Sequence, residues 1–116
     1  MALSHELPVY KAAYDLLLEI FKFSTNLKRE YKFTLGEKLK NEVTDLLTNI
    51  YKANKTYNKT ELIDKARENT EIVRLYLRVL KDLKIIGMKR HIALNEQIES
   101  ISKQLAGWHK HSFNKT

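Results

Sequence analysis

The chain has 116 residues, room for one folded domain with a real core and too few for two. It holds no Cys, which excludes a disulfide framework, thiolate chemistry and Cys-based zinc sites. Lys and Arg number 21 against 14 acidic residues, a net charge of +7, and this balance favours an anionic partner, nucleic acid foremost. One Pro and three Gly are too few to punctuate a many-stranded fold. No apolar run reaches membrane-spanning length, and Met1 to Val9 lacks signal-peptide character, so a cytoplasmic protein is the expectation. The sequons at Asn54, Asn58 and Asn114 then read as coincidence in a chain rich in Lys, Asn and Thr.

Residues 1–7 read as a short leader. Pro8 suits the first turn of a helix, where its missing N–H costs nothing. From there Tyr10, Ala13, Tyr14, Leu17, Ile20 and Phe21 recur at three and four, and Leu16 and Phe23 widen the stripe. The spacing predicts a first helix over residues 8–26, with more apolar width than a surface helix needs. Leu27 to Phe33 reads as a charged connection carrying Lys28, Arg29 and Lys32. Thr34-Leu35-Gly36-Glu37 has the pattern of a capping box, which places a second helix over 35–54. Leu35, Leu39, Val43, Leu46, Leu47, Ile50 and Tyr51 share its apolar face. Lys55 to Lys59 reads as a polar turn, and Asn58 followed by Glu61 gives a weaker cap.

The third helix, over 59–86, is the centre of the sequence. At about 100° per residue, Ala66, Ile72, Val73, Leu75, Tyr76, Leu77, Val79, Leu80, Leu83 and Ile86 fill an arc of roughly 200°. An arc this wide meets more than one flat neighbour. The rest of the circumference carries Arg67, Arg74, Arg78 and Lys81, with Glu71 and Asp82 at one margin. Two readings of this strip stand side by side. It is a solvated face laced with the pairs Arg67–Glu71 and Arg78–Asp82, or it is an anion-binding surface on which Arg74 and Lys81 have no acid to themselves. On either reading Arg74→Ala should leave the melting temperature nearly unchanged. Gly87 is expected to close the helix in the left-handed C′ position. A fourth helix over 89–109 follows from Leu94, Ile98, Ile101, Leu105 and Trp108, with Trp108 as a core plug or an oligomer contact. Residues 109–116 read as a frayed basic tail.

Four helices with short connections give an all-α, up-down-up-down antiparallel four-helix bundle, one domain over residues 1–116. That topology gathers Lys28, Arg29, Lys32, Lys38, Lys40, Lys81, Lys84, Lys89 and Arg90 at one pole, where the acids are Glu30, Glu37, Glu42 and Asp82. Nine cations against four acids leave an excess of +5 in one place, enough to steer an anion.

Catalytic and metal constellations are not found in the sequence. No Glu or Asp has a His three residues on, so the inward-facing Glu-x-x-His site of metal-binding bundles is missing. His109 and His111 would face apart on a helix, and His5 and His91 have no evident partner. Glu96 and Glu99 read as wet surface residues rather than a buried pair. There is no phosphate-binding Gly loop and no nucleophile elbow. Tyr10, Tyr14 and Tyr76 stand at core spacing and read as packing rather than as base-stacking platforms.

Several stretches together resemble a known family. Leu7-Pro8-Val9-Tyr10-Lys11-Ala12-Ala13-Tyr14-Asp15-Leu16-Leu17, Tyr31-Lys32-Phe33-Thr34-Leu35-Gly36, Arg74-Leu75-Tyr76-Leu77-Arg78 and Leu105-Ala106-Gly107-Trp108 are similar to the accessory variability determinants (Avd) of diversity-generating retroelements. The resemblance implies a four-helix bundle that assembles into a barrel-like homopentamer and is not an enzyme. It further implies binding to a reverse transcriptase and its template RNA, in support of mutagenic complementary-DNA synthesis. Arg74 and Arg78 stand where that family places two basic surface residues. The alternative resemblance is to the four-helix-bundle protein encoded in intervening sequences of large-subunit ribosomal RNA genes. A purely structural homo-oligomer, its charge serving solubility, is the rival from another class.

The expected binding residues are therefore Arg67, Arg74, Arg78 and Lys81 on the strip, and Lys28, Arg29, Lys32, Lys84, Lys89 and Arg90 at the pole. The expected partners are a reverse transcriptase, RNA and DNA, and further copies of the chain, with no cofactor and no metal.

Overall fold

The structure is a computed structural model that describes residues 6–115. The leader up to His5, and Thr116, lie outside the described residues. Four long helices form the bundle: α1 (Pro8–Ser24), α2 (Glu37–Asn54), α3 (Thr60–Asp82) and α4 (Met88–Lys115). Consecutive helices α2, α3 and α4 pack side by side, and α1 lies against both α2 and α4. The bundle measures 46 × 20 × 19 Å. Its length is that of α4, whose 28 residues span about 42 Å at the helical rise.

The core follows the periodicity. Val9, Ala13, Leu16, Ile20 and Phe23 come from α1, and Leu39, Val43, Leu46 and Ile50 from α2. Ala66, Val73, Leu77 and Leu80 come from α3, and Leu94, Ile98, Ile101 and Leu105 from α4. Burying one such Leu or Ile contributes about 1.5–3 kcal/mol, so the shared apolar faces dominate the stability. Trp108 is half-buried and packs against this core, at the edge where the expected plug would sit.

One polar network crosses the interface of α2 and α3. Asn49 Nδ2 donates to Asn69 Oδ1 at 2.8 Å, and Asn69 Nδ2 donates to Glu42 Oε2 at 2.8 Å. Asn69 is buried, so both ends of its amide must be satisfied, and this holds the two helices in one register.

The structure departs from the sequence reading in five places. First, the expected capping box does not form. Residues 29–36 are already helical, as a single turn (Arg29–Tyr31) and a π-helix (Lys32–Gly36) that runs into α2. The Thr34 hydroxyl donates backwards to the Glu30 carbonyl at 2.7 Å instead of capping forwards. A β-carbon on Gly36 would lie 3.2 Å from Leu27 Cδ1 and 3.3 Å from the Tyr31 carbonyl, a tight fit that its neighbours would have to relax by a few tenths of an ångström.

Second, α3 stops at Asp82, short of residue 86, and Gly87 is not its left-handed cap. Lys84 takes that role with φ 61°. Its N–H bonds the Lys81 carbonyl at 2.9 Å, and the Ile85 N–H bonds the Leu80 carbonyl at 2.9 Å, the two bonds of a Schellman motif. Ile85 at C″ packs against the core that Leu80 belongs to, and this burial holds a non-Gly residue in an unfavourable conformation. Gly87 instead precedes α4, its carbonyl accepting from the His91 N–H at 3.0 Å.

Third, Lys59 rather than Asn58 stands before α3, and its side chain serves the preceding helix. Lys59 Nζ donates to the carbonyls of Ala53 (3.0 Å), Asn54 (3.4 Å) and Thr56 (2.7 Å). A cation at a helix C-terminus satisfies carbonyls that have no partner within the helix. Burial pushes the Lys59 ammonium below the usual lysine value.

Fourth, residues 109–115 continue α4 rather than fraying. Ser112 is buried, and His109 Nε2 reaches Asp64 Oδ1 on α3 at 2.9 Å. Fifth, Tyr14 stands among the apolar side chains that the bundle leaves uncovered. Tyr14, Leu18 and Phe21 on α1, Tyr51 on α2, and Leu75 on α3 with Leu83 just beyond its end are exposed, so Tyr14 is not core packing.

Candidate nucleic-acid interface

The strip on α3 has the alignment its spacing predicts. Arg67, Arg74, Arg78 and Lys81 lie within about 60° of one another around the helix and run about 21 Å along it. Its charge, however, is compensated residue by residue. Arg67 Nη1 lies 4.0 Å from Asp64, Arg78 Nε 3.7 Å from Asp82 Oδ2, and Lys81 Nζ 3.7 Å from Asp82 Oδ1. Arg74 is held by two carboxylates. It bonds Glu71 one turn back, and its Nε and Nη2 both lie 2.7 Å from Glu99 Oε1 on α4.

The Arg74 side chain is only 25% exposed. It is a tie between α3 and α4, not a cation without an acid of its own, and Glu99 is its partner rather than an idle surface residue. Four cations thus face Asp64, Glu71, Asp82 and Glu99, and the strip carries no net excess. The expected pair Arg67–Glu71 is absent because Glu71 serves Arg74.

The pole is different. The turn after α1 and the turn after α3 come together, and two clefts mark the seam. One of about 290 Å³ is lined by Asn26, Leu27, Lys28, Tyr31, Leu83, Lys84 and Ile85. The other, about 160 Å³, is lined by Phe23, Asn26, Leu27, Ile85, Ile86, Gly87 and Arg90. The structure thus brings Lys28, Arg29, Lys32, Lys84, Lys89 and Arg90 to one end of the bundle, while Arg67 lies well along α3. Among the described residues, Lys40 pairs with Glu37 at 2.9 Å and Lys81 with Asp82. Lys28, Arg29, Lys32, Lys38, Lys84, Lys89 and Arg90 form no ion pair there with a carboxylate.

Cations at the pole, Lys40 with its carboxylate partner among them, also lie against aromatic rings. Arg29 Cζ and Lys32 Nζ are each 6.0 Å from the centroid of Phe33. Arg90 Cζ is 5.7 Å from Phe23, and Lys40 Nζ 5.2 Å from Phe21. A ring face attracts a cation without cancelling its charge, so the field at the pole persists. Phe33 is the residue the sequence reading passed over. Its signal was present, an aromatic set among Lys28, Arg29 and Lys32, but the connection showed no period to phase it.

Among the described residues no group of His, Asp and Glu is placed to hold a metal ion. No helix of the described residues is long and apolar enough to cross a membrane.

Comparison with known proteins bears on what such a surface serves. Neither the curated proteins nor the solved structures gave a match to the chain. The model of the family described as bAvd-like matches residues 8–112, nearly the full length, including all of α1, α2 and α3 and most of α4. The chain therefore belongs to the bAvd-like family, the kinship that its resemblance to the accessory variability determinants led one to expect.

Proposed function

We propose that the protein is a non-enzymatic accessory subunit of a diversity-generating retroelement. It binds template RNA, and DNA with it, together with a reverse transcriptase, and so supports mutagenic complementary-DNA synthesis. Family membership supports the retroelement context. The observation that carries the binding surface is the set of cations at the pole with no carboxylate partner, against a strip on α3 whose charges are matched by acids. Phosphate binding draws its free energy from counterions released, so uncompensated cations are the ones that contribute. Assembly into a homo-oligomer, a pentamer by family analogy, is supported by the apolar side chains that one protomer leaves exposed on α1 and α3.

The test compares two charge-removal variants by fluorescence anisotropy with RNA over a range of salt. Lys28→Gln with Lys84→Gln and Lys89→Gln should weaken binding and flatten the dependence of log K on log salt, by about 0.7–0.9 for each phosphate no longer neutralised. Arg67→Gln with Arg78→Gln should change both much less. The reverse ranking would move the interface to the strip. No binding by the wild-type protein would leave the structural-oligomer reading. Co-purification with the reverse transcriptase tests the protein partner, and light scattering after size exclusion tests the assembly. A monodisperse monomer would remove the oligomer.

A further inference from the structure

We propose that the basic pole is built for unpaired nucleotides, with Phe33 as the platform on which one base stacks. The inference rests on the nucleic-acid reading above and adds the class of ligand. Phe33 is 61% exposed, whereas the buried aromatic at this pole, Phe23, belongs to the core. Phe33 sits in the π-helical segment Lys32–Gly36, whose wider turn departs from the α-helical phase that would alternate buried and exposed positions. Gly36 is buried beside Leu27, which packs against the core, so the ring is presented from an anchored support. Arg29 and Lys32 lie over the ring, each 6.0 Å from its centroid, a loose contact from which a stacking base displaces a cation towards its own phosphate.

An exposed Phe gains nothing from water. Here it is flanked by positive charge, with no carboxylate paired to either cation. This combination matches one nucleotide: a flat π-face for the ring and a phosphate for the flanking cations. Base–aromatic stacking is tolerant of sequence because every base has a π-face. A continuous duplex hides those faces in its own stack and offers the pole only phosphates. The pole should therefore hold single-stranded segments, loops and overhanging ends more tightly than duplex of the same length, and with little sequence preference. In a template-copying complex that is the unpaired template ahead of synthesis.

The experiment uses the full-length protein and three fluorescent RNA probes of equal length: single-stranded, duplex, and single-stranded with abasic sites. Phe33→Leu removes the π-face, keeps an apolar side chain and removes no charge. It should lower affinity for the single strand roughly fivefold to a hundredfold, the range of one base–aromatic stack. Duplex affinity, abasic-strand affinity and the salt slope should stay at wild-type values, and Phe33→Trp should restore single-strand binding. Circular dichroism and thermal melting show that the variant is folded. If Phe33→Leu leaves single-strand affinity unchanged, or lowers all three probes equally, the platform is wrong while the nucleic-acid reading stands. If the wild-type protein binds none of the probes, both fall together.

Discussion

Arg74 offers the sharpest test of how the strip on α3 is built. Sequence spacing makes it a solvated cation whose loss is harmless to folding. The structure makes it a bridge between α3 and α4 through Glu99, braced by Glu71 from its own helix. Arg74→Ala removes the charge-assisted bonds to Glu99 and the packing of the aliphatic stem. A buried bond of this kind contributes about 1.5–3 kcal/mol and a fully exposed pair about 0–1 kcal/mol. The site lies between these limits, since the guanidinium is largely covered while Glu99 and Glu71 both reach water. The carboxylates left behind are hydrated, so no buried-charge penalty adds to the loss.

The expected cost is about 1–2 kcal/mol, a fall in melting temperature of roughly 3–10 °C for a chain of this size. Both proteins should be compared at one protomer concentration, because any self-association would shift apparent stability. A double-mutant cycle of Arg74→Gln with Glu99→Gln isolates the bridge, with an expected coupling of about 0.5–1.5 kcal/mol. RNA affinity should change far less for Arg74→Ala than for the triple pole variant. An unchanged melting temperature with zero coupling would refute the bridge and return Arg74 to the pool of free cations.

Three further outcomes are expected. Leu80→Ala, at a fully buried position whose carbonyl also closes α3, should cost about 2–5 kcal/mol in urea unfolding; a loss of a few tenths would mean the core is not packed as described. Gly36→Ala should fall short of the gain of about 0.5–1 kcal/mol that the exchange brings at an open helical position, in the same assay, because its β-carbon would lie 3.2 Å from Leu27 Cδ1 and 3.3 Å from the Tyr31 carbonyl; the full gain would mean that the segment is not packed this closely. Lys84→Gly should raise stability by about 0.5–1 kcal/mol by relieving the left-handed φ. The same substitution should weaken RNA binding, and a change of the same sign in both readouts would separate Lys84 from the interface.

What the sequence determined alone is whatever repeats with a local period or follows from connectivity. Leu39, Val43, Leu46 and Ile50, like Leu94, Ile98, Ile101 and Leu105, recur at three and four, and that spacing has one good solution, a helix with its stripe turned inward. Short turns then make neighbouring helices adjacent, so the gathering of Lys28, Arg29, Lys84, Lys89 and Arg90 at one pole was also legible, as the consequence of counting charges on two connections. The tertiary structure alone decided which cations are free. Glu99 lies 25 residues from Arg74 and comes into reach only when α4 packs on α3, so no i,i+4 rule applied to α3 could find it. The same holds for Asn69 between Asn49 and Glu42, and for His109 on Asp64.

Local grammar misled where packing outweighed it. Thr34 and Glu37 match a capping box, but the helical turn begun at Arg29 satisfies those backbone groups from behind. Gly87 suits a left-handed cap, yet Ile85 must reach the core beside Leu80, and that fixes the turn three residues earlier, at Lys84. Periodicity reports which face of a helix is apolar. It carries no information about what stands opposite the polar face, and at this protein's surface that is what separates a neutral strip from a basic pole.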